Sequence, residues 1–485
     1  MKKAIIIGAG IGGLAASIRL RSKGYQVVVY ESNSYPGGKL TEIGDDNYRF
    51  DAGPSLFTVP EKVDEILSLF PEIETNFQYE RLDEVCRYFY EDGTAIKGYG
   101  DANKFAKEVE EKLKVNSNLV EKHLSKSAFI YDATSELFLE KSLHKLSTYI
   151  SFSTFKSFLK LPFLNINSSM DKVNKKALKA PKLVQLFNRY ATYNGSNPYV
   201  APGILNIIPH LEFGKGAFFP KNGMHSITNA LYQYAKKVGV EFNFDAKIEK
   251  LETKSGNIES AFVKGKKLAA DVFVSNMDVV PFYKNLLPNS KFPEKVLNQE
   301  RSSSALIFYW GIKKEFKDLI LHNILFSENY EEEFNCIFNK KEVYNDPTIY
   351  INISSKHNLS DAPKGSENWF VMINVPSDTG QNWNKLIEAC KLNILAKIYR
   401  ILKVDVSLLI EYENILHPQL IESKTSSYKG ALYGSSSNNK MAAFFRHPNF
   451  SRQFSNLYFC GGSVHPGGGI PLALSSAKIV SELVD

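Results

Sequence analysis

Three glycines near the start of the chain, Gly8, Gly10 and Gly13, stand between an apolar run and a small-residue helix pattern. The stretch "KKAIIIGAGIGGLAASIRLRSKGYQVVVYE" reads as strand, tight turn, helix and strand. Ala4–Ile7 is the first strand, and a helix is expected from Leu14 to about Lys23 with Gly24 as its stop. Gln26–Tyr30 is the second strand and ends in an acid, Glu31. Each part has a task. Gly8 permits the turn, Gly10 lets backbone approach a pyrophosphate, and Gly13 lets helix and strand pack closely. The helix start offers free N–H groups and a positive dipole end to phosphates. Glu31 suits a ribose diol and disfavours a 2′-phosphate. With strand, helix and acid in place, the glycine spacing specifies a dinucleotide-binding βαβ unit.

The same residues imitate a signal peptide, because Met1-Lys2-Lys3 precedes an apolar run. The βαβ reading explains more of them. A chain of 485 residues is too long for one ordinary core, so two or three domains are expected. Apolar residues make up 44% and charged residues 23%, which describes a globular protein rather than a disordered one. Cys86, Cys336, Cys390 and Cys460 are far apart and form no C-x-x-C pair. A zinc site and a disulfide framework are therefore not expected, nor is any metal, and a reducing cytoplasm is. No apolar run approaches the ~18 residues of a membrane span.

The glycine motif alone does not choose between NAD and FAD. "SYPGGKL" (34–40) and "YRFDAGPSLF" (48–57) follow at once. On these residues the chain resembles the FAD-dependent amine-oxidase and phytoene-desaturase superfamily. Such proteins continue their Rossmann unit with a G-G-[RK] segment and a D-x-G-P stretch under the flavin. The resemblance implies FAD as cofactor, held by Gly8, Gly10, Ile11, Gly12, Gly13, Glu31, Gly37, Gly38, Lys39, Gly53, Pro54 and Ser55. It further implies that "ADVFVSNMDVV" (270–280) returns to the FAD domain, bringing Ile248 and Asn276 to the cofactor. The glycine-rich "FCGGSVHPGGGIPLALSS" (459–476) would close the site with Gly462, Ser463, Gly468, Gly469, Ile470 and Pro471. Pro is well placed at a helix start, where no N–H is needed.

The implied fold is α/β: a discontinuous Rossmann-type FAD-binding domain, a mixed-sheet substrate domain and a helical membrane-facing part. Residues 1–70, 215–278 and 448–485 are assigned to the first, and 71–140, 190–214 and 279–447 to the second. Residues 141–189 form a basic amphipathic helical segment. Within it, 141–182 carries nine lysines and one acid, Asp171, against a net charge of +7 for the whole chain. Apolar residues interleave with the lysines, so this segment is expected to lie on an anionic membrane surface. The alternative is an amphipathic helix packed on the body with a solvated lysine face. Nucleic acid is not expected, because arginines and stacking platforms are scarce there. The expected location is the cytoplasm, peripherally on the inner face of the membrane.

Three further stretches narrow the resemblance to bacterial carotenoid desaturases: 193–224, 353–376 and "GALYGSSSNNKMAAFFRHPN" (430–449). The last is similar to the subset acting on 1-hydroxylated acyclic carotenoids, and Lys39 in place of the more usual Arg points the same way. The resemblance implies hydride transfer from the polyene to flavin N5, followed by proton loss. The aromatic-rich strands at 301–312 and 348–375 suit a sheet roofing an apolar cavity. His465, His210 and Glu212 are the candidates for the proton-accepting group. Phytoene desaturase, a flavin amine oxidase and a non-catalytic carotenoid- or flavin-binding protein are the rival readings.

Overall fold

The computed structural model describes the chain apart from residues 146–147, 150–159, 161–163, 440–441, 443–444 and 485. Its first layer is a five-stranded parallel sheet, in the order Glu241–Asn243, Gln26–Tyr30, Lys3–Ile7, Val272–Ser275 and Leu457–Phe459. Three widely separated stretches of sequence thus share one sheet. Ala4, Ile6, Val27, Val29, Val274 and Phe459 are fully buried, as strands covered on both faces require. Helices Ile11–Ser22 and Ile470–Leu483 pack together on one side.

The first helix begins at Ile11, three residues earlier than the expected Leu14. Gly8, at φ +99°, completes the turn alone, so Ile11, Gly12 and Gly13 already wind as helix. Gly13 meets its expected role: a Cβ there would lie 2.1 Å from the Gly8 carbonyl oxygen.

A second, seven-stranded mixed sheet runs in the order Ile410–Leu416, Ser304–Ile312, Glu367–Val375, Ile349–Asn352, His322–Leu325, Glu84–Phe89 and Ala95–Tyr99. Its pairs are antiparallel except His322–Leu325 beside Glu84–Phe89. Ser304–Ile312 is buried along its whole length, and its period-2 alternation sorts two environments. Leu306, Phe308, Trp310 and Ile312 pack in one cluster with helix Trp383–Leu402. Ala305, Ile307 and Tyr309 face the other way. Helices Ala102–Leu113, Ser117–Leu139, Met170–Leu178 and Pro181–Asn188 supply a further layer.

Much of the basic amphipathic segment, including 150–159, lies outside the described residues. Of its described helices, Met170–Leu178 buries Met170 and Leu178 in the main core and exposes Lys172, Lys175 and Lys176. Here the apolar side is already used by the body, and only the lysine side faces outward. Among the described residues no helix is long and apolar enough to cross a membrane.

Substituting Gly13→Ala forces backbone apart at the first turn. We expect a stability loss of about 1–3 kcal/mol or more, read as a lower urea midpoint with an unchanged slope. An unshifted midpoint would contradict the packing role.

Candidate functional site

The ends of four neighbouring parallel strands open onto one cavity of about 1070 Å³. It exceeds the ~300–1,000 Å³ of ordinary small-ligand pockets. All the expected cofactor residues line it except Gly13 and Ile248. Gly13 lies one layer down, against Gly8 and Asn276. Ile248 is 3% exposed in the core cluster shared with Ile5, Ile7 and Phe273, so its side chain is packing rather than lining.

The glycines are needed for close approach. A Cβ on Gly10 would sit 2.5 Å from Asn276 Oδ1, and one on Gly12 would sit 2.7 Å from its Nδ2 and 3.0 Å from the Gly461 nitrogen. One on Gly53 would sit 1.7 Å from the Lys39 carbonyl oxygen. Bare backbone therefore forms the wall. Helix Ile11–Ser22 starts at Gly10 and helix Ile470–Leu483 at Gly469, neither with a side-chain cap. Both starts line the same cavity with unsatisfied N–H groups and positive dipole ends.

Glu31 has a local task that its position in sequence does not reveal. One oxygen accepts the Ala9 N–H at 2.7 Å, and the other accepts from the Asn33 N–H at 2.9 Å and Ser32 Oγ at 3.1 Å. The acid ties the second strand to the glycine turn while remaining on the cavity wall.

Two cations face this end. Lys39 Nζ donates to the Leu432 carbonyl at 2.7 Å. Desolvation pushes its pKa down to about 8, with Asp278 acting in the opposite direction. Arg446 donates to the Tyr433 carbonyl at 2.7 Å, and burial pushes it down to about 10. Among the described residues neither makes an ion pair with a carboxylate. Partly desolvated cations with Asp278 nearby but no carboxylate in contact, two uncapped helix starts and a glycine wall together fit an anionic dinucleotide. Sequence alone does not single out Arg446, although it stands inside the 430–449 stretch that carries part of the resemblance.

The other end is apolar. Ala305, Ile307, Tyr309, Phe370 and Met372 line it from the mixed sheet, and Leu205, Ile208 and Leu211 add further apolar lining. Glu212 lies on this wall at 1% exposure. One of its oxygens accepts from Tyr190 at 2.5 Å, the other accepts from Tyr193, and the Arg189 guanidinium lies 3.6 Å away. Those partners occupy the carboxylate and hold it in place.

The structure does not bring the three acid–base candidates together. His210 is outside the cavity lining, its ring 5.0 Å from that of Tyr131. His465 is also outside it, 2% exposed, with Nε2 bonded to the Lys141 carbonyl at 2.9 Å. Burial pushes its pKa down to about 4, so the ring is a neutral structural donor. Local sequence does not separate a histidine beside a glycine loop from one facing the ligand.

Residues 11–310 match the model of the flavin containing amine oxidoreductases. The chain belongs to that family. Its cofactor is FAD, and it is an FAD-dependent oxidoreductase of the carotenoid desaturase branch. It is 56% identical over 484 residues to a 1-hydroxycarotenoid 3,4-desaturase of Flavobacterium sp., covering 100% of this chain and 99% of the relative. It is 30% identical over 493 residues to a 4,4'-diapolycopene oxygenase of Methylomonas sp, covering 100% and 98%. The fold is similar to that of a solved oxidoreductase from Methanosarcina mazei, with a TM-score of 0.65 at 15% identity, covering 99% of this chain and 100% of that one.

The lowered pKa of Lys39 yields a signed expectation for flavin-free protein. Between about pH 8 and 10.5 the unfolded lysine holds its proton while the folded one has lost it, so folding stability rises with pH across that window. Lys39→Met should flatten the rise and stabilise the flavin-free protein at neutral pH, yet weaken flavin retention. Denaturant titration with and without FAD reads both. Tighter flavin binding in the variant would contradict the assignment of this end to an anion.

Proposed function

We propose that this protein desaturates an acyclic carotenoid bearing a hydroxyl at C1, introducing the 3,4 double bond. One observation carries the reading: a single cavity joins a cationic, glycine-walled end to an apolar chamber roofed by the mixed sheet. In this reading the cofactor lies along Gly8, Gly10–Gly12, Glu31, Gly37–Lys39, Gly53–Ser55, Asn276 and the 462–471 stretch. The unit holding it is assembled from 1–70, 215–278 and 448–485, while 71–140, 190–214 and 279–447 form the substrate unit.

When bound, FAD supplies the hydride acceptor for the allylic carbon. The protein supplies position. A polyene gives little for polar groups to grip, so binding comes from covering its apolar surface, at roughly 25 cal/mol per Å². Ile307, Phe370 and Met372, together with Leu205, Ile208 and Leu211, all on the cavity wall, provide that cover. The uncapped start of helix Ile470–Leu483, with Lys39 and Arg446, favours negative charge at the cofactor end as electrons arrive. No side chain on the chamber wall is assigned as a dedicated base. A carbon-bound proton beside a delocalised cation is acidic enough to pass to a weak acceptor, such as a water molecule at the cavity wall, which carries it away.

The test is spectroscopic. Anaerobic mixing of the flavin-loaded protein with a 1-hydroxycarotenoid should bleach the oxidised-flavin band and shift the carotenoid absorption to longer wavelength. Turnover of phytoene with none of the hydroxylated substrate would replace this reading by a phytoene desaturase. Bleaching by amines alone would replace it by an amine oxidase.

Delivery of so apolar a substrate motivates the membrane part of the proposal: peripheral contact with the inner face of the membrane through the lysine-rich surface around Lys172, Lys175, Lys176 and Lys179. These four are exposed and close together in the chain. Changing them to glutamine should weaken sedimentation with anionic vesicles several-fold at low salt. Equal binding by the wild-type and changed proteins would remove this surface from the account.

A further inference from the structure

His322 begins the strand His322–Leu325 and is 2% exposed. Alternation puts it on the same face as Ile324, and both line the cavity, as does Tyr350 on the neighbouring strand. Its Nδ1 is doubly engaged, by Tyr350 OH at 2.7 Å and by Asn352 Nδ2 at 3.2 Å. The same Asn352 nitrogen donates to the Leu321 carbonyl at 3.0 Å, which fixes it as the NH₂ end. An NH₂ group only donates, so Nδ1 is the acceptor and the ring proton is on Nε2. Burial, with His357 and Arg189 nearby, pushes the ring's pKa down to about 3, so it stays neutral in this one tautomer. Its Nε2 is buried and has no hydrogen-bond partner among the described residues. A buried N–H left in that condition costs free energy unless a ligand satisfies it.

The position is also chemically apt. With Nδ1 accepting, Tyr350 OH donates to it and is free to accept from Ser55 Oγ, 2.7 Å away. Two hydrogen bonds therefore connect His322 to Ser55, in the segment proposed to run beside the cofactor. A hydroxyl on C1 is only two carbon–carbon bonds from C3, so whatever grips it must lie near the reacting carbons. A polar group at the remote end of a long chamber would not serve.

We propose that His322 Nε2–H donates a hydrogen bond to the C1 hydroxyl oxygen of the substrate, and that this contact selects the hydroxylated end over a hydrocarbon one. The proposal rests on the desaturase reading above. His322 is a positioning and specificity residue in it; no proton is transferred to or from the ring.

The test compares two carotenoids that differ only in the C1 hydroxyl, each given to flavin-loaded protein. The readout is the ratio of their kcat/KM values, which cancels differences in active protein between preparations. His322→Phe and His322→Leu should each lower the ratio about 10- to 100-fold. His322→Gln, whose amide NH₂ can take the place of Nε2–H, should keep most of it. Equilibrium binding of the two carotenoids, followed by quenching of tryptophan fluorescence, should move in the same proportion. An unchanged ratio in His322→Phe or His322→Leu would overturn the anchor, as would an equal loss in His322→Gln. Wild-type protein that turns over neither carotenoid would instead overturn the desaturase reading.

Discussion

Everything in the site depends on how closely three strand ends meet at Asn276. Its N–H donates to the Ile7 carbonyl at 2.9 Å, and the Cys460 N–H donates to the Ser275 carbonyl at the same distance. The side-chain amide then lies between two glycine turns: a Cβ on Gly10, Gly12 or Gly461 would come within 2.5–2.7 Å of it. Gly10, Gly12 and Gly461 have to lack side chains for the strands to end side by side. Once they do, two helices start at one cavity with their N–H groups unspent. Gly461 N–H donates to Ser476 Oγ at 2.7 Å, which fastens the second turn to its own helix.

That constraint explains what can be read from sequence. Close approach leaves its mark as glycines at fixed offsets from an apolar strand, so Gly8–Gly13 and Gly461–Gly469 are visible in the one-dimensional pattern. The Val272–Ser275 strand is visible too, through its uninterrupted apolar residues, but its return to the first sheet is legible only through the family resemblance and not in the pattern. The pattern places the first helix start three residues late because Gly12 and Gly13 read as turn, whereas here they are helix. Ile248 and His465 stand off the cavity lining for a different reason. Whether a side chain faces a cavity or a core is decided by partners far away in sequence, such as Ile5 for the first and Lys141 for the second. Arg446 and His322 are invisible for the same reason: what marks them is a missing partner, and that exists only in three dimensions.

Charge is managed differently at the cofactor end of the cavity and elsewhere. Arg49 is surrounded by Glu42, Asp51 and Asp361 at 2.7, 2.8 and 3.3 Å. Lys397, fully buried, has Asp346 at 2.9 Å and the carbonyls of Phe326 and Pro347. These groups are neutralised locally. Among the described residues Lys39 and Arg446 bond directly only to carbonyl oxygens, with Asp278 as a non-contacting counter-charge, and desolvation shows in the lowered pKa of each. A desolvated cation without its anion is a standing cost to the fold. It becomes favourable when a ligand brings the anion, so the cofactor is expected to contribute to folding stability as well as to chemistry.

The apolar end follows the opposite rule. Arg189 and Glu212 stand in its wall, but they face each other through Tyr190 and Tyr193, and the pair presents little net charge to the chamber. A permanent positive field there would oppose hydride loss from a neutral polyene, because the carbon that loses hydride becomes cationic. A free carboxylate would trap that cation. A compensated pair does neither. Two cations and two uncapped helix starts at the cofactor end, with a compensated pair along the substrate, favour the same event: electrons moving towards Lys39 and Arg446, and positive charge remaining spread along the conjugated chain. The polar groups of the chamber are thereby left for position and selectivity.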